Sequence, residues 1–508
     1  MDEEKKLLIT RRPEYAAGMK AVVISMKNIF ARMPKSKSFK VLNKLNKKEG
    51  LDCPGCAWPD PEHRSKLGEY CENGVKAIAE EAMDARATPD FFAKYSVEEL
   101  KTKSDYWLGQ QGRLTHPMIL YPNTTHYEEI TWAMANKLIG ANLKALDSPN
   151  NAAFYTSGRT SNEAAFLYQL FVRMYGTNNL PDCSNMCHES TGVALSKTVG
   201  IGKGSVTLDD LYKSDLILIF GQNPATNHPR MLSSLEKAKA NGAKVVSINP
   251  MKEIGLVKFK NPQTIKGIIG GGTSISDLYL QVHINEDVAL LKAVMIKLYE
   301  RAKTNPLILD EDFITNKTAG YEEFKADLDK QDLTTLVKRT GLLESEIDTF
   351  ADLLAEHKNV ITCWGMGLTQ HVNGVDNIQE VVNLLLMKGS IGKPGAGTCP
   401  VRGHSNVQGD RTMGIAERPS KELLNKISEN FGFTPPQEDG YSVVHAIKAM
   451  HEEKVKVFLG MGGNFLSAAP DTNYTAEALS KCNLTAHIST KLNRSHLTHG
   501  KTALILPS

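Results

Sequence analysis

Three cysteines raise the first chemical question. Cys53 and Cys56 stand two residues apart in "DCPGC", and Cys71 follows in "YCENG". A C-x-x-C step lets two thiolates converge on one metal ion or cluster, and a third thiol extends the grip. Zinc takes four ligands, and so does a [4Fe–4S] cluster, so either reading leaves a position to fill. His63 lies between the cysteines, but its spacing fits no standard zinc finger. The second constellation is "DCSNMCHES", in which Cys187 directly precedes His188 in a loop. A thiolate beside an imidazole can be a nucleophile, or a metal ligand with a proton acceptor next to it.

The elements that must position these residues follow from hydrophobic patterning. "DLILIFGQNP" is a continuous apolar run ending in Gly-x-Asn-Pro, which predicts a buried parallel strand with a loop at its carboxyl end. A helix, "MLSSLEKAKANG", and a second strand, "AKVVSINP", follow, and strand–helix–strand is the doubly wound signature. "NAAFYTS", "NVITCWGMG", "VFLGMGGNFL" and "LTAHIST" read as further strands, and "LYLQVHINEDVALLKAVMIKLYERA" as strand, turn and helix. "SNEAAFLYQLFVRMYG" reads as a helix starting at a Ser or Asn cap, and "THYEEITWAMANKLIGANLKAL" as one capped by Thr125. Residues 1–115 are polar and irregular apart from a helix over "GVKAIAEEAMDA". Several strands end in Gly, Asn or Pro, and ligands of open α/β sheets sit beyond such carboxyl ends. The repeated Gly-rich ends point to an extended ligand carrying phosphates, held by backbone N–H groups.

Bulk properties narrow the class. A chain of 508 residues predicts two to four domains. With 41% apolar and 23% charged residues it has globular composition, and a net charge of +3 gives no field for nucleic acid or an anionic membrane. No apolar segment is long enough to span a bilayer. Arg11 and Arg12 form a twin-arginine pair, but Pro13, Glu14 and Lys20 break the pattern of an export signal, so a cytoplasmic location is expected. Eight cysteines in such a chain read as thiols rather than a disulfide scaffold.

At this point the motifs resemble a known family. "YTSGRTSNEAAFLYQLFVRMYGTNNLPDCSNMCHES", "LILIFGQNPATNHP", "WGMGLTQHVNGVDN" and "GSIGKPGAGTCPVRGHSNVQG" are similar to the molybdopterin-dependent oxidoreductases, within them the formate dehydrogenase alpha-subunit group. "DCPGCAWPDP", "CENG" and "KLNRSHLTHGKTALILPS" resemble its FdhF/YdeP branch. The resemblance implies an α/β, multi-domain molybdopterin oxidoreductase fold with doubly wound sheets. Its implied cofactors are molybdenum or tungsten in bis(molybdopterin guanine dinucleotide) and a [4Fe–4S] cluster. In the family's cluster motif Cys53, Cys56 and Cys71 match cysteine positions, and the remaining one falls on Asp60. A hard carboxylate suits iron less well than thiolate does. The family's lysine after the last cysteine falls on Asn73.

The resemblance makes Cys187 the molybdenum ligand and His188 the adjacent proton acceptor. The family's substrate-holding arginine aligns with Gln379, whose neutral amide lacks the guanidinium's charged fork, so formate itself is discounted. Gly221, Asn223, Pro224, Asn249 and Asp287 are implied around one nucleotide. Gly365, Met366, Gly367, Gly403, Asn406 and Gln408 are implied around the pterins, with Lys491, Asn493 and His496 as further candidates. Expected domains are an N-terminal iron–sulfur-type domain over 1–115, a discontinuous cofactor domain over 116–181 and 382–508, and a second over 182–381. Family members continue past the equivalent of "LILPS" into a C-terminal barrel domain, which is expected to be missing here. The expected partners are a small-molecule substrate and an electron-transfer protein, without nucleic acid or a membrane span. The competing expectations are a truncated, non-catalytic scaffold or subunit, and a zinc-stabilised α/β protein.

Overall fold

The computed structural model describes residue 11 and residues 13–65 and 68–508; Arg12 of the twin-arginine pair lies outside the described residues. Two large sheets are built from β1 (Met118–Leu120), β2 (Glu128–Glu129), β3 (Ala152–Thr156), β4 (Leu216–Phe220), β5 (Lys244–Ile248), β6 (Leu278–Leu280), β7 (Val360–Trp364), β8 (Gly397–Pro400), β9 (Val457–Met461), β10 (Leu484–Ser489) and β11 (Thr502–Pro507). The chain divides into two compact units. Met1–Lys27, Trp58–Asn73 and Ser190–Gly403 form the first, and Asn28–Ala57, Gly74–Glu189 and His404–Ser508 the second.

In the first unit the sheet order is β6-β5-β4-β7-β8, all parallel. In chain order that is 3-2-1-4-5, the doubly wound arrangement, with its switch point between β4 and β7. The apolar run of β4 is buried at every position. Leu216, Leu218 and Phe220 join a core with the helices Asp287–Ala302, Glu344–Glu356 and Gly374–Met387. A strand covered on both faces needs no polar alternation, which explains why it reads as a continuous apolar run.

In the second unit the order is β2-β1-β11-β10-β9-β3. The four strands from β11 to β3 are parallel, while β1 pairs with β11 and β2 pairs with β1 antiparallel. Successive residues of β3 serve opposite cores: Ala153 and Tyr155 pack with Phe458 and Phe465, Ala152 and Phe154 with Leu484 and Leu504. Among the described residues no closed barrel occurs.

Two expectations need correction. The helix expected from Thr125 starts later, at Trp132, and Thr131 caps it by accepting from Met134 N. The preceding Glu128–Glu129 pairs with β1 instead. The N-terminal stretch is less irregular than its composition suggested. It forms helices Gly18–Phe30 and Lys35–Lys44, because lysines at helical spacing leave an apolar stripe within a polar sequence.

Candidate functional site

In the first unit the loops beyond β4 and β7 meet at the switch point. Gly221 has φ +53°, and a Cβ on Gly367 would lie 2.5 Å from Gly221 Cα. Gly367 N–H donates to the Gly221 carbonyl at 3.1 Å. Two glycines therefore let the loops touch backbone to backbone, where side chains would hold them apart. Asn223 caps the short helix that Pro224 begins, and its Nδ2 donates to Glu253 at 2.7 Å. Asn249 Nδ2 donates to the Met251 carbonyl at 2.7 Å. Gly365 precedes Met366, which is exposed, and Gly403 has open space where a Cβ would stand. Gln222 is buried with its Oε1 lacking a hydrogen-bond partner. Asp287 begins the helix Asp287–Ala302, and burial pushes its carboxyl up to about 7. Gln379 lies half-buried in the helix Gly374–Met387 of this unit.

In the second unit the chain returns along β3. Phe154 N donates to the Asn179 carbonyl at 3.0 Å and Thr156 N to the Pro181 carbonyl at 3.2 Å, so Asn179–Asp182 runs beside the strand. One 3-10 turn, Cys183–Met186, then delivers Cys187 and His188. Both are buried, with 8% and 1% exposure. Cys183, also buried, has its thiol pushed up by burial and by the nearby Asp182 and Cys187.

Residues that motif reading passed over hold this turn. Arg411 Nε donates to Ser184 Oγ at 2.6 Å, and its Nη2 to Asp182 Oδ1 at 2.8 Å and Glu189 Oε2 at 3.1 Å. Its Nη1 reaches Glu417 Oε2 at 3.4 Å. Ser184 Oγ donates to both carboxylate oxygens of Asp182, at 2.7 and 2.9 Å. Asn185 Nδ2 donates to Glu417 at 3.0 Å and Glu189 at 3.2 Å. Burial raises Asp182 to about 6 against the opposing pull of Arg411. Burial would lower Arg411, but Asp182, Glu417 and Glu189 outweigh it and raise it.

Beside the turn, Gly158 leaves no room for a side chain: a Cβ there would lie 2.7 Å from Cys183 Sγ and 2.8 Å from His404 Cβ. Asn406 staples this loop, its N–H donating to the Gly158 carbonyl at 2.8 Å and its Nδ2 to the Thr160 carbonyl at 2.7 Å. Gln408 follows, half-buried. His404 Nδ1 is buried without a hydrogen-bond partner. Lys491 pairs with Glu80, and Asn493 Nδ2 donates to the Gly463 carbonyl at 3.0 Å. His496 is buried, its ring centroid 5.4 Å from that of His487, a residue the sequence did not single out. Burial lowers both rings, to about 4 for His496 and about 3 for His487, so they stay neutral.

The cysteine segment is divided between the units. In the second, Cys53 N–H donates to Asn46 Oδ1 at 2.8 Å, and Gly55 N–H donates to Cys53 Sγ at 3.3 Å. In the first, with Cys71, Asp60 is already engaged. Its Oδ1 lies 2.6 Å from Arg230 Nη1 and its Oδ2 lies 3.5 Å from Arg64 Nη2. Asn73 donates to the Thr226 carbonyl at 2.6 Å. Among the described residues no group of three or more His, Cys, Asp and Glu side chains is set to hold a metal ion.

These observations test the fit of the cofactors. In the first unit, the glycine contacts at the strand ends and the orphaned Oε1 of Gln222 suit a ligand with polar edges. Cys53, Cys56 and Cys71 carry free thiols, the donor type that iron takes, while Asp60 is paired with Arg230 and Arg64.

The comparisons with known proteins agree with the fold. The model of the molybdopterin oxidoreductase family matches residues 113–497. The chain is 51% identical over 507 residues to an uncharacterized oxidoreductase of Mycobacterium tuberculosis, covering all of this chain and 65% of that one. It is 47% identical over 469 residues to protein YdeP of Escherichia coli, covering 91% of this chain and 62% of that one. With the F420-dependent formate dehydrogenase 1 subunit alpha of Methanococcus maripaludis it shares 30% over 429 residues, covering 82% and 60%. The chain thus spans under two thirds of the length of each of these relatives. Acetylene hydratase from Pelobacter acetylenicus superposes with a TM-score of 0.59 at 17% identity, over 80% of this chain and 55% of that one, which shows a shared fold.

Proposed function

The chain belongs to the molybdopterin oxidoreductase family, and from that premise we propose a two-electron oxidation or reduction of a small substrate as its function. Its proposed cofactor is Mo-bis(molybdopterin guanine dinucleotide). When bound, that group supplies a metal able to accept or give an electron pair. The observation that carries the reading is the buried pair Cys187–His188 on a turn locked by Arg411 and Asp182. Cys187 would hold the metal, since a soft thiolate matches a dithiolene-bound metal. His188 would take or give the proton at its ring nitrogen. Gly221, Asn223, Pro224, Asn249, Asp287, Gly365, Met366, Gly367 and Gly403 are proposed as cofactor-binding residues. Asn406, Gln408, Asn493 and His496 are proposed likewise. Lys491 would have to release Glu80 to join them. Gln379 would orient substrate through neutral hydrogen bonds, which favours a substrate other than formate.

The proposal assigns Cys53, Cys56 and Cys71 as ligands of a [4Fe–4S] cluster, with Asp60 as the fourth once it leaves Arg230 and Arg64, and an electron-transfer protein as the partner. Among the described residues no helix is long and apolar enough to cross a membrane, and we place the protein in the cytoplasm. The occupied position of Asp60 also favours a second reading, a relative that keeps the fold without the redox chain.

Elemental analysis of anaerobically purified protein for Mo, W, Fe and Zn, with pterin release on the same sample, separates the readings. Molybdenum or tungsten near one per chain, with guanylated pterin, supports the enzyme; zinc or no metal, without pterin, supports the second reading. Cys187→Ala should abolish turnover, by about a thousandfold or more, since the metal loses its protein ligand. Full activity in that variant would refute the assigned role.

A further inference from the structure

Carboxylates outnumber cations behind the Cys187–His188 turn. Asp182, Glu189 and Glu417 share the single guanidinium of Arg411. A fourth carboxyl, Asp410, is 1% exposed, and its Oδ1 has no hydrogen-bond partner. It faces Asp182 and Cys183 from the turn and Tyr155 from β3. The helix Asn162–Tyr175 packs against this region with one buried cation, Arg173. That guanidinium is spent on Gln169 Oε1 at 2.6 Å and on the carbonyls of Gly414 and Ala416 at 2.9 and 3.0 Å. His404, nearby on the same segment as Asp410, is disfavoured as a cation by burial and by Arg159. Among the described residues no positive group is left to balance Asp410, and a buried carboxyl without a counter-charge keeps its proton.

We infer that Asp410 is a proton-storing residue for the Cys187–His188 turn. Its buried carboxyl group holds a proton at neutral pH, and that stored proton keeps a fourth negative charge from joining Asp182, Glu189 and Glu417 under the turn. Asp410 is thus a positioning residue: by staying neutral it leaves the Arg411 guanidinium to Asp182 and its neighbours. The role in turnover rests on the proposed redox function, while the proton itself is a property of the folded chain.

The geometry agrees with the direction of both groups. Burial raises Asp410 to about 8, with the Asp182 carboxylate adding to it. A carboxyl raised on folding binds a proton that the unfolded chain has lost. Stability from this group is therefore greatest at acid pH and falls as pH rises from about 4 toward about 8.

The test is an infrared titration of the full chain from about pH 5 to about pH 9, in water and in D2O, beside thermal unfolding over the same range. Wild type should show a neutral-carboxyl band, shifted in D2O, that is lost toward alkaline pH. Asp410→Asn should lose the part of that band that titrates highest, near pH 8. Its melting temperature should rise relative to wild type as pH increases, and the gap should close toward pH 5. A merely structural asparagine would instead shift the melting temperature equally at every pH. Asp287, raised to about 7, contributes a band of its own, so the reading is the wild-type-minus-variant difference spectrum: no neutral-carboxyl difference at neutral pH overturns the inference. The wild-type titration needs no variant to fold. Metal content measured on the same sample judges the redox reading separately, because the band requires no molybdenum.

Discussion

Arg411 illustrates what one side chain decides here. It is the common partner of Asp182, Glu189, Glu417 and Ser184. Replacing it by methionine keeps the volume but leaves buried Asp182 and Glu417 without their cation, a loss of about 3–5 kcal/mol. The loss should be larger near pH 8 than near pH 5, because Asp182 titrates at about 6 and becomes neutral below that. Urea unfolding at both values measures it; equal losses would show that charge is not the cause. The same residue shows where sequence reading stops. Cys187 and His188 were legible as adjacent reactive types. Arg411 and Asp182 were not, since a lone arginine and a lone aspartate carry no pattern and their contact spans 229 residues. Asp60 was legible as a position, but its pairing with Arg230 came only with the fold.

At the scale of elements, the switch point between β4 and β7 depends on backbone contact. Gly367→Ala would set a methyl 2.5 Å from Gly221 Cα and carbonyl oxygen, and the loops would have to part. Overpacking of this kind costs about 1–3 kcal/mol. The midpoint of urea unfolding should fall accordingly, and any bound pterin should be retained less well; an unchanged midpoint would mean the loops separate without cost. The parallel strands were legible because burial on both faces makes them unbroken apolar runs. The cap at Thr131 was not, because Thr125 and Thr131 are both good capping residues. Only the pairing of Glu128 and Glu129 with β1 decides between them. The short strands β1 and β2 carry too few residues to show a period.

At the scale of the molecule, a ligand that binds only the folded chain adds to its stability by mass action, about 4 kcal/mol at a thousand times its dissociation constant. Protein from cells deprived of molybdate and tungstate should therefore melt several degrees below protein from supplied cells. Equal melting with equal cofactor-free content would count against the proposed cofactor. The sequence order of the second unit bears on how the chain is made. β3 spans Ala152–Thr156, yet its sheet partner β9 begins at Val457. During synthesis at about 5–20 residues per second, a strand buried at every position would wait on the order of tens of seconds for that neighbour. Asn179–Asp182, which leads into the Cys187 turn, follows β3 closely and pairs with its other edge. The segment that leads into Cys187 and His188 is thus also an early guard against misassembly of the nascent chain.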